Sequence, residues 1–457
     1  MAMVLERLSA LDAGFLALET EDSPLHLGCV LLLEGPAPEP DELLAEIGHR
    51  VAGVPECRRR VRRVAAGLAR PVWEIDPGFD AARHVVSVAI PAPGDDRALR
   101  SWVATDMESR LDIGRPPWAV HQATGLENGR WALVIKAHHS LVDGSAGTGL
   151  LGALLEPGRP DRAMPAMPLP LRSGDVVLAA MTWTLTLTYR AGYALARAVT
   201  DRRQVAEHLL ALRAGVRTVA VADLPPSPLS GRLGRRRTWG WTAYDLADAI
   251  RSADARRCTV NDLFLAALAG GYRRHLLDTG AMRAETRVRV IVPVSMRRPG
   301  EPARTGNIDA AFFVELPVHA ATCEERVAAV AAQTRDAKAR GVARSTHALV
   351  RAADHVPCPV LTRAARAYVR RGQRRVNLAA SDVRGPAVEL DVCGCRVLEL
   401  IPVTPVALDV RTSWSMLSYA GRLTIAVTAD ADGVPELDRL LSAVDASMTE
   451  SMAARVT

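Results

Sequence analysis

Hydrophobic and polar positions along this chain follow two periods. Residues 131–135 form an unbroken apolar run that predicts a buried strand, and 29–33 do the same. Residues 84–90, 287–292 and 309–316 also read as strands, as do 376–380, 395–400 and 422–428. The last two are expected to join through Tyr419, Ala420 and Gly421. Helical spacing is plain at 41–53, where Leu43, Ile47 and Val51 fall on one face. It recurs at 97–110, at 322–341, and at 345–371 with a break near Pro357 and Pro359. From Pro435 onward a closing helix turns Leu437, Leu440, Leu441 and Val444 inward. Another helix follows Thr259-Val260-Asn261-Asp262, with Thr259 or Asn261 as its cap. A short amphipathic segment covers 8–19. Strands and helices mix in both halves, which predicts an α/β fold of two mixed sheets flanked by helices. Residues 156–174 are rich in Pro and Gly without periodicity. The chain therefore divides into a domain at 1–155, a helical and loop connector at 156–235, and a second domain at 236–457.

With 49% apolar residues among 457, a large core is expected. The net charge is +6, and Lys136 and Lys338 are the only lysines. The arginines are dispersed and rarely interleaved with aromatics, so no nucleic-acid partner is predicted. The basic run at 58–63 reads as a solvated face, with an anionic contact as the alternative. Seven cysteines without a paired framework suggest reduced thiols and a cytoplasmic protein, and no signal peptide is read. The longest apolar run, 176–189, is 14 residues, short of the roughly 20 that span a bilayer. The apolar stretch 176–212 carries Arg190, Arg197, Arg202 and Arg203 at its margin. It reads either as a buried interdomain helix or as one lying on a membrane surface.

Chemistry concentrates where the 131–135 strand ends. Lys136-Ala137-His138-His139-Ser140-Leu141-Val142-Asp143-Gly144 places two histidines at the strand end, followed by a carboxylate and a glycine. Histidine titrates near neutrality, so a neutral imidazole is available to take a hydroxyl proton. A lone histidine here would be read as structural; the pair at this spacing from Asp-Gly points to function. Asp143 either orients His139, as in a triad, or is a buried structural charge. His26 reads as structural.

The pattern His138-His139-Xaa-Xaa-Xaa-Asp143-Gly144 resembles the signature of the CoA-dependent acyltransferase superfamily. Further matches, in order, resemble the bacterial wax ester synthase/diacylglycerol acyltransferases: the opening from Leu8, Pro116 and Trp118 of a Pro-Leu-Trp motif with Pro117 in the middle position, Asn261-Asp262, Pro293 to Arg297, and Ser381 to Pro386. Asp382 and Arg384 stand where the family has Asn and Pro, and Ser230 precedes Gly231 where it has Asn. The resemblance implies two chloramphenicol-acetyltransferase-like domains with a central tunnel. It implies His139 as general base, with His138, Asp143 and Gly144 completing the catalytic motif. It implies substrate contacts from Asn261, Asp262, Ser381, Gly385 and Pro386, with helix capping and packing as the equal alternative for Asn261 and Asp262, and a structural ion pair between Asp143 and Arg297. The expected reaction moves a long-chain acyl group from acyl-CoA to diacylglycerol or a long-chain alcohol. Acyl-CoA is a co-substrate, and neither cofactor nor metal is expected. The expected setting is a membrane or lipid-inclusion surface, contacted peripherally. The alternatives are an acyltransferase of the same fold acting on another hydroxyl, and a catalytically silent lipid-binding protein.

Overall fold

The computed structural model describes residues 6–64, 67, 69–141, 220–295 and 309–453, with isolated positions between 174 and 217. In chain order the helices are α1 (Ala10–Leu18), α2 (Pro40–Ala52), α3 (Asp96–Asp106), α4 (Leu246–Ala255), α5 (Val260–Asp278), α6 (Cys323–Ala339), α7 (Val342–Ala353), α8 (Cys358–Arg371) and α9 (Leu437–Ala453). The strands are β1 (His26–Leu33), β2 (Arg59–Arg62), β3 (Val72–Ile75), β4 (Val85–Ala89), β5 (Trp118–Thr124), β6 (Trp131–His138), β7 (Arg237–Asp245), β8 (Val288–Ser295), β9 (Asp309–Leu316), β10 (Leu378–Arg384), β11 (Asp391–Val392), β12 (Cys395–Val403), β13 (Thr412–Tyr419) and β14 (Arg422–Asp430). Two six-stranded mixed sheets result, ordered β11-β12-β1-β6-β5-β4 and β7-β14-β13-β10-β8-β9. A two-stranded ribbon of β2 and β3 stands apart. The predicted α/β class with two mixed sheets is the one observed.

Strands β1 and β6 form the middle of the first sheet, in register from His26 opposite His138 to Leu33 opposite Trp131. One face buries Leu31, Leu33, Leu133 and Ile135 with Leu43, Ile47 and Val51 of α2. The other buries Val30, Leu32, Ala132 and Val134 with Leu99 and Val103 of α3 and with Trp239 and Trp241 of β7. That second cluster joins the two sheets. Gly28 lets Met107 after α3 lie close against β1, because a Cβ there would come within 2.4 Å of Met107 Cε and push that side chain aside.

Several elements differ from expectation. The 97–110 helix ends at Asp106, and a turn continues to Arg110. The motif from Ser381 to Arg384 lies on β10 rather than beyond it. Strands β12 and β14 are separated by β13, and the Tyr419-Ala420-Gly421 turn joins β13 to β14. The signal of β13 is masked by Thr412, Ser413, Ser415 and Ser418, all but the last buried because both faces of the strand are covered. Residues of β11 and β12 extend the first sheet beside β1, so the C-terminal part of the sequence completes the N-terminal sheet. The basic run at 58–63 is a solvated face only in part, with Arg58 buried and Arg63 exposed. Arg60 sits opposite Glu74 across the β2–β3 ribbon, 2.9 Å from its Oε2 and 3.3 Å from Asp76 Oδ1. Residues 156–174 and most of 176–212 lie outside the described residues, apart from isolated positions.

Candidate active site

His138 is the last residue of β6. Its N–H donates to Pro117 O at 2.9 Å, and the N–H of His139 donates to Leu25 O at the same distance. Neighbouring chain segments on both sides thus fix this backbone. Consecutive residues of a strand point to opposite faces, and here the two rings meet different surroundings. The ring of His138 is fully buried, whereas His139 is only partly buried.

His138 Nδ1 accepts the Ser140 N–H at 3.0 Å and lies 2.7 Å from Ser140 Oγ. A backbone N–H can only donate, so Nδ1 carries no proton and the neutral ring holds its proton on Nε2. Nε2 faces Glu19 Oε1 at 3.7 Å. Burial pushes the His138 pKa down to about 4, a shift the Glu19 carboxylate opposes. His139 stacks on Phe15, with ring centroids 4.0 Å apart and planes 20° from parallel.

Phe15 and Glu19 lie one helical turn apart, so the end of α1 touches both histidines. Ser9 caps that helix by accepting the Asp12 N–H at 3.0 Å. The buried Glu19 carboxylate accepts Leu25 N–H at 3.2 Å and two donors of Arg110 at 3.0 and 2.6 Å. Arg110 comes from the turn after α3. Lys136 pins that turn, its Nζ donating to Asp106 O at 2.6 Å and Ser109 O at 2.8 Å. His26 Nε2 lies 2.9 Å from Met107 O in the same turn. A cation suits the carbonyl-bearing end of a helix, and burial lowers the pKa of Lys136. A chain with two lysines thus spends one of them under the turn that carries Arg110 to Glu19.

Sequence reasoning missed Phe15, Glu19, Arg110 and Ser140. A carboxylate at the end of an apolar helix and a lone lysine beside the double histidine are the signals that point to them. Asp143, Gly144 and Arg297 lie outside the described residues, and so does the ion pair expected of them. Asp262 forms a capping box with Thr259, at 2.8 and 3.2 Å, and its other oxygen accepts Thr334 Oγ1 at 2.7 Å. Asn261 sits beside it in the first turn of α5. Ser381 pairs with Ser415 between β10 and β13. Gly385 approaches β13 so closely that a Cβ would meet Ser418 O at 2.4 Å, and Pro386 O accepts the Ala420 N–H. The histidines thus belong to the first sheet, and these C-terminal candidates to the second sheet and its helices.

Residues 8–264 match the wax ester synthase/diacylglycerol acyltransferase catalytic domain, and 305–451 match the C-terminal domain of the same family. The chain belongs to the wax ester synthase/diacylglycerol acyltransferase family. A Mycobacterium tuberculosis protein named probable diacylglycerol O-acyltransferase is 31% identical over 455 residues, covering 98% of this chain and 96% of the relative. The solved wax ester synthase/diacylglycerol acyltransferase from Marinobacter aquaeolei superposes with a TM-score of 0.65 at 24% identity, covering 97% and 98% of the two chains. The starter condensation domain of rhizomide synthetase, solved with C8-CoA, shares the fold with a TM-score of 0.60 at 14% identity, covering 98% and 94%. The family resemblance read from the double-histidine motif therefore holds, and this family member is an O-acyltransferase with diacylglycerol or an alcohol as acceptor.

Proposed function

We propose that this acyltransferase moves a long-chain acyl group from acyl-CoA to the hydroxyl of diacylglycerol, with a fatty alcohol as second acceptor. His139 acts as the general base. Its imidazole takes the hydroxyl proton, and the alkoxide attacks the thioester carbonyl. That attack forms the ester C–O bond, and the tetrahedral oxyanion then collapses, restoring the C=O and breaking C–S. The departing CoA thiolate recovers the proton from the imidazolium. One observation carries the assignment: His139 is partly exposed at a fixed strand end, whereas His138 is wholly buried with Nδ1 already taken. Diacylglycerol is placed first on the 31% identity to the mycobacterial relative.

The same reading puts the protein against a lipid surface by peripheral contact. Among the described residues no helix is long and apolar enough to cross a membrane. Leu178, Met181, Leu210 and Val360 are exposed apolar side chains. Trp183, beside the first two, lies under Arg7 and Arg70, and Arg70 pairs with Asp354 just after α7. The helix α8 adds Arg363 and Arg366, a composition suited to anionic headgroups.

The test is CoA release from palmitoyl-CoA with diacylglycerol, a panel of fatty alcohols, or water as acceptor. Release stimulated by diacylglycerol, with triacylglycerol as product, supports the reading. Release with alcohols alone reassigns the acceptor, and release by water alone removes acyl transfer.

A further inference from the structure

We propose that a cavity of about 570 Å³ between the ends of α1 and α8 holds the nucleotide end of the acyl-CoA donor, gripping its phosphates with Arg232, Arg370 and Arg371. This rests on the reading of acyl-CoA as donor. None of the three arginines makes a hydrogen bond or ion pair among the described residues, and all three are exposed. The wall also carries two carboxylates. Asp409 accepts the Gln373 N–H at 3.2 Å, and with Asp22 it leaves three cations facing two carboxylates, a net positive wall. Such an excess suits a multiply charged anion, and guanidinium pairs with phosphate through parallel hydrogen bonds. Tyr368, 39% exposed on the same wall, offers a flat face to an adenine ring.

The far wall is built rather than incidental. Leu408 and Asp409 are consecutive non-glycine residues with φ of 52° and 59°, a conformation kept only where surroundings enforce it. Here the Gly231 N–H holds Asp409 O at 2.9 Å and the Val410 N–H holds Ala407 O at 3.0 Å. Gly372 has φ of +67°, and a Cβ there would lie 2.7 Å from Asp409 Oδ2. Ser23 Oγ ties the α1 side to Val406 O at 2.9 Å. The near wall includes Leu18 and Thr20, which flank Glu19, the residue facing His138. Phe15, against His139, is one turn further back. The cavity therefore shares α1 with both histidines, within reach of a pantetheine arm.

The experiment compares two donors, palmitoyl-CoA and the palmitoyl thioester of N-acetylcysteamine, which lacks phosphates and adenine. Wild type, Arg370→Glu/Arg371→Glu and Arg232→Glu are assayed with both, after melting curves establish that each is folded. Calorimetry measures direct binding of adenosine 3′,5′-bisphosphate. We expect KM for palmitoyl-CoA to rise at least tenfold in the variants, with KM for the short thioester and kcat for both donors unchanged. Bisphosphate binding should be present in wild type and lost in the variants. An equal KM change for both donors, no change for either, or no bisphosphate binding to wild type overturns the proposal. So does weakened flotation on anionic vesicles with both KM values intact, which would assign these arginines to lipid headgroups. A wild type that binds the bisphosphate yet transfers from neither donor upholds the cavity and sinks the acyl-transfer reading instead.

Discussion

His138 and His139 are adjacent in sequence and opposite in environment. One is sealed in the core with its proton directed at Glu19, and the other is partly open against Phe15. Glu19 joins them mechanically, since Leu25 donates to its carboxylate and accepts from His139 N–H. Glu19→Gln removes a charged acceptor of Arg110, an interaction worth about 1.5–3 kcal/mol. We expect kcat to fall roughly tenfold with KM little changed, and Glu19→Asp to recover part of the loss. A KM effect alone, read from saturation curves, would contradict this placement. Burial of His138 also sets an acid limit. Between pH 6.5 and about 4 the unfolded chain takes up a proton that the folded ring refuses. The stability from this residue is fully present above about pH 6.5 and is lost as pH falls to about 4. The loss is roughly 3 kcal/mol. His26, lowered by burial as well, adds in the same direction. Denaturant titrations across this window should show a flatter acid limb for His138→Gln than for wild type; identical slopes would contradict the assignment.

At the scale of elements, α5 separates a cap from a binding role. Both carboxylate oxygens of Asp262 are engaged, with Thr259 and with Thr334. Asp262→Ala should therefore lower stability by roughly 2 kcal/mol and leave KM for acyl-CoA unchanged; a raised KM at full stability would restore the direct contact. Elements with one dominant period were legible in the sequence. The α2 face Leu43, Ile47, Val51 and the α9 face from Leu437 to Val444 are buried as predicted. Strand β13 was not legible, because serines on a strand buried on both faces break the apolar run. The β2–β3 ribbon was hidden because Arg60 finds its partner Glu74 only through strand register. At the site, the double histidine was visible from spacing alone. Phe15, Glu19 and Arg110 were not, since folding brings them to the motif from more than 25 residues away.

Over the whole molecule, the first sheet is completed by β11 and β12, and Trp239 and Trp241 of β7 pack under α3. The histidines are therefore held by a framework drawn from both ends of the chain. Its exposed arginines and apolar side chains predict salt-sensitive association with anionic vesicles. Flotation at low salt that disappears at high salt is the expected result, and failure to float at low salt would contradict it. The central claim is that His139 is the base of an acyl transfer, and a positioned base contributes ~10²–10⁴-fold. The most direct measurement is the initial rate of triacylglycerol formation from palmitoyl-CoA and diacylglycerol by folded His139→Ala and His138→Ala. The account predicts a loss of ~10²–10⁴-fold for His139→Ala and a smaller one for His138→Ala. Equal losses in the two variants, or near-normal turnover without His139, would contradict it.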